Sequence, residues 1–147
     1  MVRESFENAV ENAPYDEGRR SIFRAMKAEG DGLPKVGRSG RELGVRIDGP
    51  RRDLTVGEDG TVEPGNGGMS VALDAALNLP KPRLPKSLGG EGRDPVFSMV
   101  SANIPPTLLL RQDRYPHALV EPGRRCPLSV FESDLASTRS LWSKAHD

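Results

Sequence analysis

Short apolar runs, separated by glycine and proline, are the most regular feature of the chain. Ser21–Met26 is a compact apolar run with one arginine inside it, and Val96–Val100 is a second. Runs this short, bounded by turn-forming residues, are typical of strands, although the period alone does not separate them from a buried helix. We predict strands at both positions and two more at Thr107–Arg111 and His117–Glu121.

Two further segments carry a β pattern. Apolar residues alternate with glycine and arginine over Leu43–Ile47, which predicts a half-buried strand. Asp53–Val56 and Thr61–Val62 are β-rich pieces on either side of a turn that ends in Asp-Gly. Because Asp-Gly turns commonly connect the strands of a hairpin, we predict a β-hairpin over residues 53–62.

Helical periodicity is confined to the two ends of the chain. Phe6 and Val10 share one face of a short acidic helix predicted over residues 3–13, which Pro14 would end. A second helix is predicted to begin near Pro127, because proline suits the first helical turn. Its buried face is predicted from the i, i+4, i+7, i+11 spacing of Phe131, Leu135, Thr138 and Trp142.

Glycine and proline, 16 and 13 residues of the 147, concentrate in two long segments, 29–44 and 73–95. We predict loops there, with one helical turn near Ala75–Leu77. Connections of this length are uncommon in compact domains unless they serve a site. Together the elements predict an α+β fold with a small split sheet of mixed or antiparallel strands and a C-terminal helix. One domain is expected over residues 1–147, with 1–17 as an acidic N-terminal extension.

Charge is balanced overall but uneven along the chain. Residues 1–17 hold one basic and five acidic side chains, so the remainder carries a net charge of +4. A mildly basic body could attract a ligand that bears phosphate, or the charges could simply be scattered and solvated. There is no long run of like charge, and aromatic residues, at 5%, are too few for a stacking platform. We therefore do not expect nucleic acid as a partner.

The single cysteine, Cys126, cannot close an internal disulfide, and no cysteine–histidine pair has the spacing of a metal site. No stretch approaches the roughly 20 apolar residues of a membrane span, and the first residues lack the apolar core of a secretory signal. We therefore expect a cytoplasmic protein with no metal site and no membrane partner. Delivery to a target cell by a route that needs no cleaved signal peptide stays open.

The most unusual segment is glycine-rich: Gly65, Gly67 and Gly68 precede Met69 and Ser70. Backbone without side chains can turn its N–H groups toward an anion or approach a flat ring closely, and Ser70 adds a hydroxyl. The segment is neither a Walker loop nor a dinucleotide fingerprint. A turn with a β-bulge before a strand would explain the same residues without a ligand.

Arg24 is the one charged residue of an otherwise apolar predicted strand. Buried arginines are rare unless they are paired. In a cleft, the planar guanidinium of Arg24 could bind a phosphate or a carboxylate through two parallel hydrogen bonds. On an edge strand, the same side chain would point into water.

His117 opens a predicted strand, where it could donate a hydrogen bond or transfer a proton. Asp113 and Glu121 are the nearest carboxylates, and either could stabilise the positive charge that develops on a sugar during glycosyl transfer. A structural histidine and two surface carboxylates are the alternative. A triad of Ser70, His117 and Asp113 can be assembled on paper, but no serine lies in the Gly-x-Ser-x-Gly of a nucleophile elbow.

Six segments follow one another in a recognisable order: Ile22–Ala28, Arg52–Val56, Asp59–Pro64, Gly67–Val71, Ile104–Leu108 and Arg111–His117. In order and spacing they resemble the Tse-type toxins of bacterial type VI secretion, whose fold is similar to that of ADP-ribosyltransferases. The resemblance covers roughly residues 20–135. It implies a pocket for NAD between the two halves of a split sheet.

The same resemblance implies roles for individual residues. Arg24 matches the arginine of the first strand, which contacts the NAD phosphates or ribose. Ser70 matches the serine that shapes the nicotinamide pocket, and the backbone of Gly67, Gly68 and Met69 would cradle that end of the cofactor.

An acidic residue on a third strand should polarise the reacting sugar or the acceptor, and Asp113 and Glu121, with His117 nearby, are the candidates. The chain departs from the pattern because it has no Ser-Thr-Ser, no Glu-x-Glu and no Gln-x-Glu. The resemblance is therefore compatible with an NAD-dependent ADP-ribosyltransferase, an NAD glycohydrolase or an inactive relative.

The function that the resemblance implies is that of a type VI secretion effector, a bacterial toxin that uses NAD and acts on a cytoplasmic target. Such a toxin should have a cognate immunity protein as its partner. The alternative is a protein-interaction module that keeps the fold without the chemistry, which the incomplete acidic motif favours.

Overall fold

The computed structural model describes residues 20–147, so the helix predicted over residues 3–13 lies outside the described part. The strands within it are β1 Ser21–Ala25, β2 Thr61–Val62, β3 Met69–Leu73, β4 Val96–Val100, β5 Leu108–Arg114, β6 His117–Pro122, β7 Cys126–Pro127 and β8 Ser143–His146. The α-helix is α1, Leu128–Ala136, and short 3₁₀ turns lie at Ala76–Asn78, Lys86–Leu88, Ser101–Asn103 and Arg139–Leu141.

Six of the strands form one sheet in the order β5-β6-β3-β1-β4-β8, and every neighbouring pair is antiparallel. The two shortest strands, β2 and β7, pair antiparallel beside it. The structure thus confirms the predicted α+β class, with a mainly antiparallel sheet and a C-terminal helix. The strands predicted at 21–26, 96–100, 107–111 and 117–121 are also confirmed, with small shifts at their ends.

The sheet buries apolar side chains on both faces. On one face α1 contributes Phe131 and Leu135 to the larger core cluster, which includes Ile22 and Phe97 from the central strands. Burying an aromatic or aliphatic side chain of this size stabilises the fold by roughly 1.5–3 kcal/mol. This face therefore holds the helix in place against the sheet.

Alternate strand residues point to the opposite face, where a smaller cluster forms. There Ala25, Ala72 and Val96 pack with Ala76 and Leu79 from the irregular segment after β3. Because three of these five side chains are alanines, the segment lies close to the sheet. The helical turn predicted near Ala75–Leu77 is confirmed as the 3₁₀ turn Ala76–Asn78.

Two of the predicted β segments are wrong. Leu43 makes only an isolated bridge to Val36, and residues 44–47 form no strand, since the N–H of Arg46 is bound by the Asp53 carboxylate at 2.7 Å. Residues 53–56 are likewise not a strand of a hairpin, although the turn at 57–60 exists. Instead, β2 pairs with the distant β7, which local turn chemistry cannot predict.

At the C-terminus, the four residues of the predicted buried helix face are all buried, but α1 ends at Ala136. Thr138 and Trp142 are buried beyond the helix, and the indole Nε1 of Trp142 donates to the Thr138 hydroxyl at 3.0 Å. The chain then continues as β8, a strand that the sequence pattern did not predict. Within residues 20–147, no helix is both long enough and apolar enough to cross a bilayer.

Candidate functional site

A cavity of about 340 Å³ opens where the C-terminal end of β1, the start of β3 and the start of β6 meet two loops. One loop covers residues 39–46 and the other follows the Ala76–Asn78 turn. The side of the cavity that carries charged and polar groups comprises Arg24, Arg46, Asp53, Ser70, Asn78, Arg83 and His117. The remaining lining is Ala25, Gly40, Val71, Ala72, Leu79, Pro80 and Pro116.

Arg24 is buried, with 5% of its surface exposed, and its guanidinium is bound by backbone carbonyls. Nη1 donates to the Ser70 carbonyl at 2.7 Å, and Nη2 donates to the Glu42 carbonyl at 2.8 Å. Longer bonds reach the carbonyls of Ser39 and Gly44, and Nε also donates to Glu42. The side chain therefore ties the loop over the cavity to β3.

The charge of Arg24 is held in a poorly solvated position. Burial is the main reason that its pKa falls to about 10; Asp53 raises it, whereas Arg83 and Arg46 lower it further. The guanidinium remains charged at neutral pH, because that pKa is still well above 7. Arg24 thus contributes positive potential to the cavity even though most of its donors are already engaged.

Asp53 and Arg46 form an ion pair on the cavity wall. Arg46 donates to the Asp53 carboxylate through Nη2 at 3.0 Å and through Nε at 3.3 Å, and the Arg46 backbone N–H donates to it at 2.7 Å. These bonds raise the pKa of Arg46. The carboxylate is therefore fixed in orientation and remains the one acid among the described lining residues.

Arg83 differs from the other two arginines. No hydrogen bond or ion pair engages its guanidinium within residues 20–147, and the nearby Asp94 already accepts two bonds from Arg41, at 2.7 and 2.8 Å. With three arginines and one aspartate, the lining carries a formal charge of +2 when His117 is neutral. An anionic ligand is the natural complement of such a cavity.

His117 is oriented by Asp113 at the turn between β5 and β6. Its Nδ1 lies 2.7 and 2.9 Å from the two carboxylate oxygens. Because a carboxylate accepts, Nδ1 carries a proton and Nε2 of the neutral ring is left as an acceptor. Burial acts to raise the pKa of Asp113, but the bonds from His117 and from the Arg114 N–H outweigh it, and the pKa falls.

The strand register explains why Ser70 and His117 share a cavity. Ser70 pairs with Leu119, and Ala72 pairs with His117, so these side chains lie on one face of adjacent strands. The sequence pattern selected Arg24, Ser70 and His117 from three different strands, and the structure brings all three to one cavity. Asp113 does not line it but contacts it through His117.

Glu121 and the glycine-rich segment lie elsewhere. The buried Glu121 carboxylate accepts from Arg111 Nε at 2.7 Å and from the Gly65 N–H at 3.0 Å. A Cβ on Gly67 or Gly68 would overlap the carbonyl of Asp53 or Val120, so close backbone packing requires both glycines. Met69 is buried in the larger core cluster.

Three charged lining residues were missed by sequence reasoning, Arg46, Asp53 and Arg83, and so was the polar Asn78. Asp53 and Arg46 lie in segments predicted as strands, so they were not considered as site residues. Arg83 lies in a proline-rich segment, where a single basic residue does not indicate a site. The alternation over Leu43–Ile47 predicts that Arg46 points away from the core, and this was the one sequence feature that could have indicated Arg46 as a site residue. Among the described residues, no group of three His, Cys, Asp or Glu side chains could hold a metal ion.

Comparison with known proteins adds nothing to this geometry. No protein-family model matches the chain, and no curated protein matches it either. Function therefore has to be inferred from the residues of the cavity.

Proposed function

We propose that the cavity binds NAD and that the protein is an intracellular bacterial toxin of ADP-ribosyltransferase-like fold, as its resemblance to the Tse-type toxins implies. The observation that carries the proposal is the shared cavity of Arg24, Ser70 and His117, the arginine, serine and histidine that the sequence pattern indicates on three strands. Their convergence supports a common role in one ligand site.

The lining matches the two chemical halves of NAD. The positive charge of Arg24, Arg46 and Arg83 complements a pyrophosphate, which is doubly negative at neutral pH. The apolar wall, in which Leu79 and Pro80 lie beside the small residues of β3, suits a flat aromatic ring. Ser70 and Asn78 add polar groups that could fix the ring amide.

In the proposed reaction, the bond between the nicotinamide nitrogen and C1′ of the ribose breaks, and its electron pair leaves with nicotinamide. An acceptor hydroxyl, from a target or from water, forms the new bond to C1′. His117 accepts the hydroxyl proton at Nε2, since Asp113 holds the proton on Nδ1. Asp53 supplies negative charge near the cationic sugar, a role that electrostatic stabilisation of such transition states requires.

A second candidate function has one observation in its favour. Asp53 is the one carboxylate among the described lining residues, and it is already bound by Arg46 through two hydrogen bonds. A carboxylate committed in this way stabilises a cationic sugar less well than a free one. A binding module that holds a nucleotide without cleaving it is therefore the alternative.

The purified protein tests both candidates directly. Calorimetric titration with NAD measures binding, and chromatographic detection of free nicotinamide measures cleavage. Binding with nicotinamide release supports the enzyme, and binding without release supports the module. Absence of binding at millimolar NAD would remove the proposal.

The proposed toxin also predicts a cellular phenotype. Expression of the wild-type chain in a bacterial cytoplasm should arrest growth, and His117→Ala should relieve the arrest at equal protein level if proton transfer is needed. Co-expression of a cognate immunity protein should restore growth. Equal growth with wild type and His117→Ala would favour the module instead.

A further inference from the structure

We propose that Arg83 and Arg46, converging on Gly40, form an oxyanion subsite for a phosphate or pyrophosphate group, and that Arg24 supports this subsite without binding the anion itself. The inference does not depend on NAD as the ligand, because any phosphate ester or pyrophosphate has the required chemistry. It differs from the expectation drawn from the resemblance, in which the arginine of the first strand contacts the phosphates.

Most of the hydrogen-bonding capacity of Arg24 is taken up by the protein. All three guanidinium nitrogens donate to backbone carbonyls, and the shortest of these bonds are 2.7 and 2.8 Å. To bind a phosphate through two parallel hydrogen bonds, Arg24 would have to give up bonds to buried carbonyls such as those of Ser70 or Glu42, which is costly. Its contribution to anion binding is therefore electrostatic.

Arg83 has the opposite properties. Within residues 20–147 its guanidinium has no acceptor, although it lines the cavity and lies within electrostatic range of Arg24. Asp94, the nearby carboxylate, is already bound by Arg41 through both oxygens. A planar fork of five N–H donors is thus available, which is the arrangement that binds phosphate oxygens in pairs.

Arg46 is only partly engaged. Its Nε and Nη2 bind Asp53, and no described group accepts from Nη1. The bound Asp53 fixes the orientation of the guanidinium, so its free edge is held in place on the cavity wall. An anion between Arg46 and Arg83 would receive charge-assisted hydrogen bonds from both.

Gly40 marks the point where the two guanidinium groups meet. A Cβ built on Gly40 would lie 2.7 Å from Nη2 of Arg83 and 3.7 Å from Cζ of Arg46. Any side chain at position 40 would therefore displace the end of Arg83. Gly40 also lines the cavity, so its missing side chain keeps the space beside both arginines open.

Calorimetric titration with inorganic pyrophosphate, and separately with NAD, tests the subsite. We expect Arg83→Ala to weaken pyrophosphate binding about tenfold or more, as expected for loss of charge-assisted bonds. Gly40→Ala should weaken it as well, although no charge is removed. Arg124→Ala, an exposed arginine that does not line the cavity, removes the same charge and should leave the affinity unchanged. Thermal unfolding of each variant verifies that it is folded.

The outcomes separate this subsite from the proposed function. Pyrophosphate binding that depends on Arg83, without NAD binding, supports the subsite and removes the NAD assignment. NAD binding that is equal in wild type and Arg83→Ala supports the assignment and overturns the subsite. The subsite is also overturned if the wild-type protein fails to bind pyrophosphate. Equal losses of pyrophosphate affinity in Arg83→Ala and Arg124→Ala would overturn it as well.

Discussion

The guanidinium of Arg24 lines the cavity and also binds the loop of residues 39–44 beside it. Four backbone carbonyls, from Ser39, Glu42, Gly44 and Ser70, accept its hydrogen bonds. These carbonyls belong to residues 39–44 and to β3, so the side chain connects the two segments. Arg24 thus helps to hold the shape of the cavity.

Substitution of Arg24 should therefore destabilise the fold. We expect Arg24→Ala to lower the free energy of unfolding by roughly 3 kcal/mol, because several buried carbonyls lose their donor together. Arg83→Ala should change it by less than about 0.5 kcal/mol, because its guanidinium makes no hydrogen bond or ion pair within residues 20–147. Urea denaturation followed by Trp142 fluorescence measures both. Equal stability of the two variants would contradict the structural role of Arg24.

A second buried charge should respond asymmetrically to substitution. Glu121 is fully buried, whereas its partner Arg111 is about half exposed. Arg111→Ala leaves the buried carboxylate with the Gly65 N–H as its one remaining described donor and should destabilise the fold by more than removal of the charge itself does. Glu121→Gln removes the charge but keeps an acceptor for the Gly65 N–H, and should cost about 1 kcal/mol. The order of the two denaturation midpoints checks this prediction, and a larger loss in Glu121→Gln would contradict it.

Sequence reasoning at the residue scale identified which residues stand out but not what they contact. An arginine inside an apolar strand had to be paired or solvated, and Arg24 is paired. Its partners are carbonyls of a loop 15 to 20 residues away and the carbonyl of Ser70 on β3, for which no sequence signal exists. Gly67 and Gly68 stood out equally, yet both are required by close backbone packing.

The elements that the sequence predicted well are those with a dense apolar pattern. β4 and α1 bury apolar side chains against the core, so their period shows in the sequence. Leu43–Ile47 has an alternating apolar pattern but forms no strand beyond the Leu43–Val36 bridge, since the Asp53 carboxylate binds the Arg46 N–H. β8 consists of exposed residues, and only its pairing with β4 defines it as a strand.

Because β8 pairs with β4, removal of β8 would test whether the edge of the sheet needs protection. β8 covers the outer edge of β4, whose Val96 and Phe97 are fully buried. Truncation after Trp142 should leave the core folded, because the indole and its bond to Thr138 remain. It should also expose unpaired backbone on β4 and promote self-association, as open edges do.

Analytical ultracentrifugation of the truncated chain measures this effect against the full chain, and circular dichroism verifies the fold. We expect concentration-dependent association of the truncated chain alone. A truncated chain that stays monomeric at high concentration would show that the β4 edge needs no cover.

At the scale of the whole molecule, ion pairs add to the apolar contacts that hold the long loops to the body. Arg41 binds Asp94 and so joins the loop of residues 29–44 to the segment before β4. Arg38 binds Glu132 on α1. The sequence predicted both loops from their glycine and proline, but not their cross-links, because any of many charged residues could have paired.

These ion pairs predict how the whole fold responds to acid. The pKa values of several aspartates are lowered by their partners; that of Asp59 falls to about 2 through the Thr61 hydroxyl and N–H and through Arg125. The Arg41 bonds lower the pKa of Asp94 against the effect of its burial. The unfolded chain therefore binds protons at a higher pH than the folded protein does. The part of the stability that these aspartates contribute should be constant above about pH 5 and fall as pH decreases from about 4 to about 2.

Asp94→Asn tests how much of the pH dependence of stability comes from the Arg41–Asp94 ion pair. At pH 7 the variant should be less stable than wild type, because the charge-assisted bonds from Arg41 are weakened. The difference should shrink below about pH 4, where wild-type Asp94 itself becomes protonated in the unfolded chain and then in the folded one. Glu58→Gln, at an exposed position without a described partner, should follow wild type at every pH. Denaturation curves at pH 7, 4 and 2.5 measure the effect, and a difference that persists undiminished at pH 2.5 would show that the Arg41–Asp94 pair does not link the loops through charge.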